Sequence, residues 1–399
     1  MQPIITSLLE TDLYKFTMLQ TFLHRHPDTQ AEYRFVCRNQ PEFPLAELAA
    51  AVNEQVEALC SLTFQPEELA YLGHLRFIKP DFVDFLSVFR LQSRFVTVQA
   101  DGDALQVIAR GPQVHVMMFE IYLLAIINEL YFQRFGDQAV RLAEARQRLA
   151  GKIVRLKEHL ATSRSLHHPF DLVDFGLRRR YSGAWQDEVV ATLKAEVPEV
   201  MRGTSNVHLA RKYGLTPIGT MAHEYLQTYQ AVGVQLRHFQ RAALEDWVQE
   251  YRGDLGIALT DVVGMDAFLA DFDLYFAKLF DGLRHDSGDP VAWGEKALAH
   301  YARLRIDPRT KRFVFSDSLD FEKAFALHRH FGDRVPLSFG IGTYLTNDTG
   351  RKPLNIVMKL VNANGLPVAK LSDTVGKTLC DDATFLAYLR QQFSIKEAA

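Results

Sequence analysis

The segment GLRHDSGDP at residues 282–290 places a guanidinium, two carboxylates and two glycines side by side. Arg284 could hold a carboxylate through two parallel hydrogen bonds, and Asp286 could bind ribose hydroxyls or a magnesium ion. A plainer alternative is that Asp289 caps the following helix while the arginine and an aspartate pair with each other. The segment therefore predicts either an anion-binding loop or a capped turn.

A second candidate is the segment GIGT at residues 340–343, which follows the strand-like residues 335–339. Glycines allow backbone N–H groups to approach an anion closely, because no side chain stands in the way. The alternative is a tight turn between a strand and a helix. Arg351 and Lys352 follow shortly afterwards and favour the phosphate interpretation.

His223, in the segment GTMAHE, follows a short predicted strand. Imidazole is well suited to accept a phosphoryl group near neutral pH when a carboxylate orients its other nitrogen. Asp261, after the next predicted strand, could be that carboxylate. The alternative is a structural role, since the chain has 14 histidines.

Three consecutive arginines, Arg178 to Arg180, follow Phe175 in the segment DFGLRRR. They could bind a polyphosphate or an aromatic acid, and Phe175 offers a flat ring on which a heteroaromatic substrate can stack. A solvated run of charge is the alternative.

Short apolar strands that alternate with helices must position these segments, which is the pattern of βα units around a parallel sheet. Seven candidate strands end near Phe175, Thr204, Thr220, Thr260, Leu283, Ser316 and Phe339. Each is followed by a polar or glycine-containing stretch, and in a β/α barrel such stretches share the substrate-binding rim. The pattern predicts an irregular barrel, with a doubly wound open sheet as the alternative.

The two ends of the chain have a different pattern. Residues 31–38 alternate apolar and polar, residues 95–110 resemble two strands joined by a turn, and residues 354–371 resemble a hairpin. We therefore predict an α/β protein in which residues 136–351 form the irregular barrel. Residues 1–135 together with 352–399 would form a second, smaller α+β domain.

Composition limits the class of partner. The 399 residues are 48% hydrophobic and 23% charged, and the net charge is -3. The protein therefore has no overall positive electrostatic potential that would attract nucleic acid. Three cysteines without CxxC spacing argue against a disulfide framework and fit a reducing cytoplasm. The apolar stretch 114–130 is interrupted by charged and polar residues and predicts a buried helix, not a membrane span.

Seven blocks in one order closely resemble nicotinate phosphoribosyltransferases: TDLYKF, DFGLRRR, RGTSN, GTMAHE, GLRHDSGD, FSDS and FGIGT. The resemblance covers residues from about 8 to about 372. It implies an irregular β/α barrel beside a smaller sheet-containing domain built from both ends of the chain. It also implies a cytoplasmic enzyme of NAD biosynthesis that converts nicotinate and 5-phosphoribosyl 1-pyrophosphate to nicotinate mononucleotide and pyrophosphate. ATP would be the co-substrate and Mg²⁺ the cofactor, in a homodimer with shared active sites.

The resemblance also implies roles for individual residues. Tyr14, Phe175 and Arg284 would sandwich the pyridine ring and hold its carboxyl group, with Tyr14 reaching in from a neighbouring subunit. The other implied roles are contact with substrate or pyrophosphate for Arg178, ribose binding for Asp286 and Asp317, 5-phosphate binding for Gly342, Thr343 and Arg351, and phosphorylation by ATP for His223 beside Asp261.

One position helps to separate the acid from the amide as substrate. Ser205 stands in RGTSN where amide-using relatives carry an aspartate, and a hydroxyl can donate to a carboxylate that an aspartate would repel. The alternatives are a nicotinamide or quinolinate phosphoribosyltransferase, which competition kinetics would separate, and a non-catalytic nucleotide-binding barrel, which would release no pyrophosphate.

Overall fold

The computed structural model describes residues 2–233, 235–371, 373 and 380–395. These residues form an α/β structure with one parallel and one antiparallel sheet, which confirms the predicted fold class. The strands are β1 Gln30–Cys37, β2 Val96–Asp101, β3 Ala104–Pro112, β4 Leu172–Asp174, β5 Met201–Thr204, β6 Thr216–Pro217, β7 Ile257–Leu259, β8 Gly282–His285, β9 Arg312–Phe315, β10 Leu337–Ile341, β11 Ile356–Ala363 and β12 Leu366–Pro367.

The α-helices are α1 Leu13–Arg25, α2 Ala49–Cys60, α3 Pro66–Gly73, α4 Pro80–Val88, α5 Gln113–Val116, α6 Phe119–Gln133, α7 Gln138–Thr162, α8 Gly183–Glu196, α9 Val207–Tyr213, α10 His223–Thr228, α11 Phe239–Tyr251, α12 Met265–Asp271, α13 Leu274–Leu279, α14 Pro290–Arg303, α15 Phe321–Phe331, α16 Thr343–Thr346 and α17 Ala383–Gln392. Short 3₁₀ helices span Leu45–Leu48, Ser93–Phe95, Leu177–Arg179, Leu236–His238 and Pro308–Thr310.

The parallel sheet has the strand order of a barrel. Its order is β6-β5-β4-β10-β9-β8-β7, so the first parallel strand of the chain lies beside the last. Each strand otherwise pairs with its neighbour in sequence, whereas a doubly wound sheet would reverse direction at an internal switch point. The curled sheet is open between β6 and β7.

Helix α1 packs along this opening. It is buried from Leu13 to Phe22, apart from the half-buried Tyr14. The hydroxyl of Thr17 donates to the carbonyl of Thr220 at 2.6 Å, and the hydroxyl of Thr220 donates to the carbonyl of Ile257 in β7 at 2.8 Å. Side-chain bonds and an N-terminal helix thus join the two edges of the barrel.

Strand β6 ends earlier than expected. The sequence suggested an end near Thr220, but only Thr216 and Pro217 pair with β5. The Ile218 amide still donates to the Thr204 carbonyl at 3.0 Å, and the chain then leaves the sheet, where Gly219 lies against the backbone of Tyr14 in α1. Contact with a helix some 200 residues earlier in the chain, which no local pattern reveals, ends the strand here.

The antiparallel sheet has the order β12-β11-β1-β3-β2, so it combines both ends of the chain as predicted. Strand β1 is its centre and pairs with β11 on one side and β3 on the other. The exact edges of the smaller domain, at residues 135 and 352, stay a prediction.

The helical run Gln113–Gln133 is long and apolar enough to cross a membrane by length and composition, and 83% of its most apolar window is buried inside the protein. Helix α6, which makes up most of this run, is buried on nearly every side. A helix that is hydrophobic all round is expected at the centre of a large core, and α6 agrees with the buried helix expected for residues 114–130.

Candidate active site

A cavity of about 740 Å³ lies where the carboxyl ends of the parallel strands face the antiparallel sheet. We call it the central cavity. Of the residues singled out in the sequence, it is lined by Tyr14, Phe175, Arg178, Ser205, His223, Arg284, Asp286, Asp317, Gly342 and Thr343. Segments spread over more than 300 residues therefore converge on one space.

His223 begins helix α10 and faces this cavity with 22% of its side chain exposed. Its Nε2 lies 2.8 Å from Oδ1 of Asp261, which is buried directly behind it. The other Asp261 oxygen accepts hydrogen bonds from Ser287 at 2.6 Å and from Lys370 at 2.7 Å. Because the ionised carboxylate accepts a hydrogen bond from Nε2–H, Nδ1 carries the free lone pair of the neutral imidazole and can act as a nucleophile.

The charges around His223 favour its neutral form. Burial lowers the pKa of the imidazole, the charge of Lys370 lowers it further, and Asp261 offsets only part of this. Burial alone would raise the pKa of Asp261, but His223 and Lys370 hold it well below its ordinary value. The pair is therefore a neutral imidazole oriented by an ionised carboxylate.

Phe175 and Tyr14 supply flat rings to the cavity wall. Phe175 lies across Gly340, where an added Cβ would come within 2.3 Å of the ring. Gly342 lies against the Phe175 carbonyl, at 2.9 Å from where its Cβ would stand. The two glycines therefore make room for Phe175. The interpretation of GIGT as a phosphate-binding segment did not include this role.

Asp12 lies between Tyr14 and Ser205 on the same wall and was not singled out in the sequence. Burial raises its pKa to about 6, while the Ser205 hydroxyl and Arg178 oppose that shift. This carboxyl group gains a proton more readily than an ordinary aspartate, which lowers the negative charge beside the rings.

The three consecutive arginines diverge, so the solvated-run alternative is wrong. Arg178 lines the cavity, and Arg179 lines it while donating from Nε to the Ile356 carbonyl at 2.9 Å. Arg180 points away, is 1% exposed and pairs with Glu10 at 3.0 Å. Only the first two arginines can act on a ligand.

The antiparallel sheet adds cations that the sequence analysis missed. Arg38 follows β1 and Lys359 lies in β11, and both line the cavity. Burial, with Arg38 and Lys370 nearby, lowers the pKa of Lys359 to about 7. Burial and the charges of Arg178 and Arg38 lower that of Arg179 to about 9. Like charges held this close repel each other, and a bound polyanion would relieve that repulsion.

In the segment 282–290, different residues cap the helix and face the cavity. Asp289 caps α14 by accepting a hydrogen bond from the Ala292 backbone at 2.7 Å. Arg284 and Asp286 instead line the cavity. Asp286 accepts a hydrogen bond from Ser316 at 3.0 Å, and its other oxygen lies 3.6 Å from Nε2 of His223.

Two of the predicted residues, Arg351 and Tyr14, have surroundings that the sequence did not indicate. Arg351 lines a smaller cavity of about 370 Å³ that shares Thr343 with the central cavity, and its guanidinium pairs there with Asp137 at 2.9 Å and Glu42 at 3.3 Å. The chain's own Tyr14 lines its cavity, and the contribution of Tyr14 from a neighbouring subunit stays a prediction. The partners of Arg351 are remote in sequence, and α1 places Tyr14, so neither outcome could be inferred locally.

The model of the nicotinate phosphoribosyltransferase (NAPRTase) N-terminal domain matches residues 9–128, and that of the nicotinate phosphoribosyltransferase (NAPRTase) family matches residues 170–397. A relative from Herminiimonas arsenicoxydans named nicotinate phosphoribosyltransferase is 68% identical over 98% of this chain and 98% of its own. A relative of the same name from Chromobacterium violaceum is 59% identical over 100% of this chain and 99% of its own. The crystal structure of nicotinate phosphoribosyltransferase from Vibrio cholerae has a TM-score of 0.93 at 38% identity, covering 99% of this chain and 95% of that chain.

Proposed function

This chain belongs to the nicotinate phosphoribosyltransferase family, and from that premise we propose how its cavity carries out the reaction. The reaction, in NAD biosynthesis, joins nicotinate to the phosphoribosyl group of 5-phosphoribosyl 1-pyrophosphate and releases pyrophosphate. The proposal concerns the roles of individual residues, the coupling to ATP through His223 and the use of Mg²⁺.

Nicotinate would stack between Phe175 and Tyr14, with its carboxylate held by Arg284. Aromatic faces and a guanidinium suit a flat, anionic heterocycle. The Ser205 hydroxyl on the same wall can donate to the carboxylate, whereas an aspartate there would repel it. These contacts favour the acid over the amide.

Phosphoribosyl transfer needs orientation and charge stabilisation more than acid–base chemistry. The bond from the anomeric carbon to the pyrophosphate oxygen breaks, its electron pair leaves with pyrophosphate, and the pyridine nitrogen lone pair forms the new bond. No general base is needed, because that nitrogen carries no proton. Arg38, Arg178, Arg179 and Lys359 would stabilise the departing polyanion.

The remaining substrate groups have candidate sites on the barrel rim. Asp286 and Asp317 would hold the ribose hydroxyls, and Gly342 and Thr343 would hold the 5-phosphate at the start of α16. Arg351 lines the smaller cavity together with Thr343, so it would add a guanidinium to the 5-phosphate site by exchanging its pairing with Asp137 for the phosphate.

Asp286 fits a role in Mg²⁺ binding. Ligand atoms of His223, Asp261 and Asp286 lie within 4.8 Å of one another, but both Asp261 oxygens already accept hydrogen bonds, which leaves the Asp286 carboxylate. Mg²⁺ commonly takes one or two protein carboxylates and otherwise substrate phosphates and water. When bound, it would supply positive charge at the pyrophosphate.

ATP coupling would use His223 as the acceptor. Nδ1 of the neutral imidazole attacks the γ-phosphorus of ATP, the bond to the bridging oxygen breaks, and ADP leaves with the electron pair. Asp261 stabilises the positive charge that develops on the ring. The observation that carries the proposal is the His223–Asp261 pair facing the same cavity as Arg284 and Gly342.

The test follows nicotinate mononucleotide and ADP together in a mixture with nicotinate, 5-phosphoribosyl 1-pyrophosphate, Mg²⁺ and ATP. Both products should rise in proportion with the native protein. His223→Ala should form no ADP but retain slow, ATP-independent transfer. Full ATP-coupled activity in that variant would refute the assignment.

The chain's own residues, Tyr14 included, line the central cavity. The homodimer and the cytoplasmic location expected from the resemblance stay predictions, which sedimentation and cell fractionation would test.

A further inference from the structure

Two residues in the family-like motifs have no role in the mechanism above, yet they meet inside the protein. Lys15 belongs to TDLYKF and Glu224 to GTMAHE. The Lys15 ammonium is fully buried, forms a short contact with one Glu224 oxygen and lies 2.6 Å from Oε2 of Glu120. We call these three residues the Lys15 cluster.

The cluster is charged and lies at the edge of the central cavity, because both of its carboxylates line that cavity. Burial disfavours the ammonium, but Glu120 and Glu224 outweigh this and raise the pKa of Lys15 above its ordinary value. Burial raises the pKa of Glu224, and Lys15 offsets part of that shift. The Lys15 ammonium thus pairs with two buried carboxylates.

The cluster joins the segments that carry the ring site and the histidine. Lys15 follows Tyr14 on α1, and Glu224 follows His223 at the start of α10. Two further contacts tie the same segments, one from Thr17 to the Thr220 carbonyl at 2.6 Å and one from the Ala222 amide to Met18 Sδ at 3.2 Å.

Stability alone is a weak reason for such a cluster. Buried ion pairs often contribute little net stability, because desolvation offsets their attraction, and apolar replacements of similar volume can be neutral. What an apolar side chain cannot supply is a directional contact that fixes two backbone segments relative to each other. A site whose residues come from both α1 and the start of α10 needs such a contact to keep the two segments in register.

We propose that Lys15 is a positioning residue that, through Glu224 and Glu120, holds Tyr14 and His223 in one fixed geometry, so that the ring site and the phosphoryl-accepting site are aligned together. This inference rests on the proposed function of His223. Lys15 itself is not among the residues that line the central cavity.

The test compares Lys15→Met, the double variant Lys15→Met/Glu224→Gln and a matched control. The single variant leaves two buried carboxylates without their cation and should unfold at a lower temperature. In the native cluster, one ammonium and two carboxylates give a formal charge of -1. The double variant keeps only the Glu120 carboxylate and therefore the same formal charge, so it should recover part of that loss. Lys79→Met is the control, because Lys79 pairs with the buried Glu250 at 2.9 Å away from the cavity.

Two readouts separate positioning from simple stability: the nicotinate KM, and the factor by which ATP accelerates transfer. A misplacement of about 1 Å can cost about 100-fold in rate. In the folded double variant we expect the KM to rise and the ATP acceleration to fall, each by about 10-fold to 100-fold. A purely structural role would lower kcat with and without ATP by one common factor and leave the KM unchanged.

The proposal is overturned if the double variant keeps the native KM and ATP acceleration, or if Lys79→Met changes them equally. A double variant that does not fold also overturns it, since the cluster would then be needed for folding itself. Native protein assayed alongside separates this proposal from the proposed function: no ADP formation in native protein counts against His223, not against Lys15.

Discussion

Gly340 lies in β10 directly beneath the Phe175 ring, and Gly340→Ala tests how the ring site is built. A Cβ at this position would lie 2.3 Å from two ring carbons of Phe175, whereas carbon atoms in contact ordinarily stand about 3.5–4.0 Å apart. The ring must therefore move by more than about 1 Å, or the strand must shift. Gly340 has no positive φ, so alanine strains no backbone angle, and the three atoms nearest to its Cβ all belong to Phe175.

The expected cost has two parts. Overpacking of this kind typically destabilises a protein by about 1–3 kcal/mol. A displacement of about 1 Å in a group that positions substrate can lower kcat/KM by about 100-fold. We therefore expect Gly340→Ala to fold with a lower melting temperature and to bind nicotinate poorly, while the KM for 5-phosphoribosyl 1-pyrophosphate changes much less.

The assay is the nicotinate KM and kcat/KM at saturating 5-phosphoribosyl 1-pyrophosphate, with thermal unfolding measured on the same samples. Gly151→Ala is the matched control, because Gly151 lies in α7 with nothing within 4 Å of its would-be Cβ. It should keep the native KM and gain up to about 1 kcal/mol of stability. A native nicotinate KM in Gly340→Ala would refute the assignment of Phe175 to the ring site.

Three further predictions concern the histidines and the assembly. Asp261→Asn removes a charge-assisted hydrogen bond worth about 1.5–3 kcal/mol, so ADP formation should fall about 10-fold to 100-fold; an undiminished rate would exclude Asp261 as the orienting group. Burial and the neighbouring His328 lower the pKa of His159 to about 4, so the folded state binds fewer protons than the unfolded state between pH 4 and 6.5. Urea unfolding should show stability rising with pH across that window, with a smaller rise in His159→Phe, and equal slopes would contradict this. Finally, because the chain's own Tyr14 lines its cavity, activity per chain should stay constant on dilution to single chains; loss of activity with dissociation would instead support the shared active sites that the resemblance implies.

The barrel and the rim residues were predictable because they depend on local patterns. Short apolar strands followed by polar, glycine-rich loops occur at β4, β5 and β8 to β10, and the carboxyl ends of parallel strands meet on one rim. Residues such as Asp286 and Gly342 therefore converge wherever the strands form in order.

The remaining features depend on contacts between distant parts of the chain. Lys359 reaches the cavity because β11 pairs with β1, and Arg34 stands opposite Lys359 in that register. The ion pairs of Arg351 were not predictable, because Glu42 and Asp137 belong to other segments of the chain. Asp12 escaped notice because a single aspartate before a helix resembles an ordinary cap, although its side chain makes no capping hydrogen bond to α1.

The central claim is that His223 accepts a phosphoryl group in the cavity that joins nicotinate to the phosphoribosyl unit. The most direct measurement incubates the native protein with ATP labelled at the γ-phosphate, maps the labelled peptide, and then adds nicotinate and 5-phosphoribosyl 1-pyrophosphate. The account predicts acid-labile label on His223 that is discharged as mononucleotide forms. Label on another residue, or turnover of ATP and nicotinate without any labelled histidine, would contradict it.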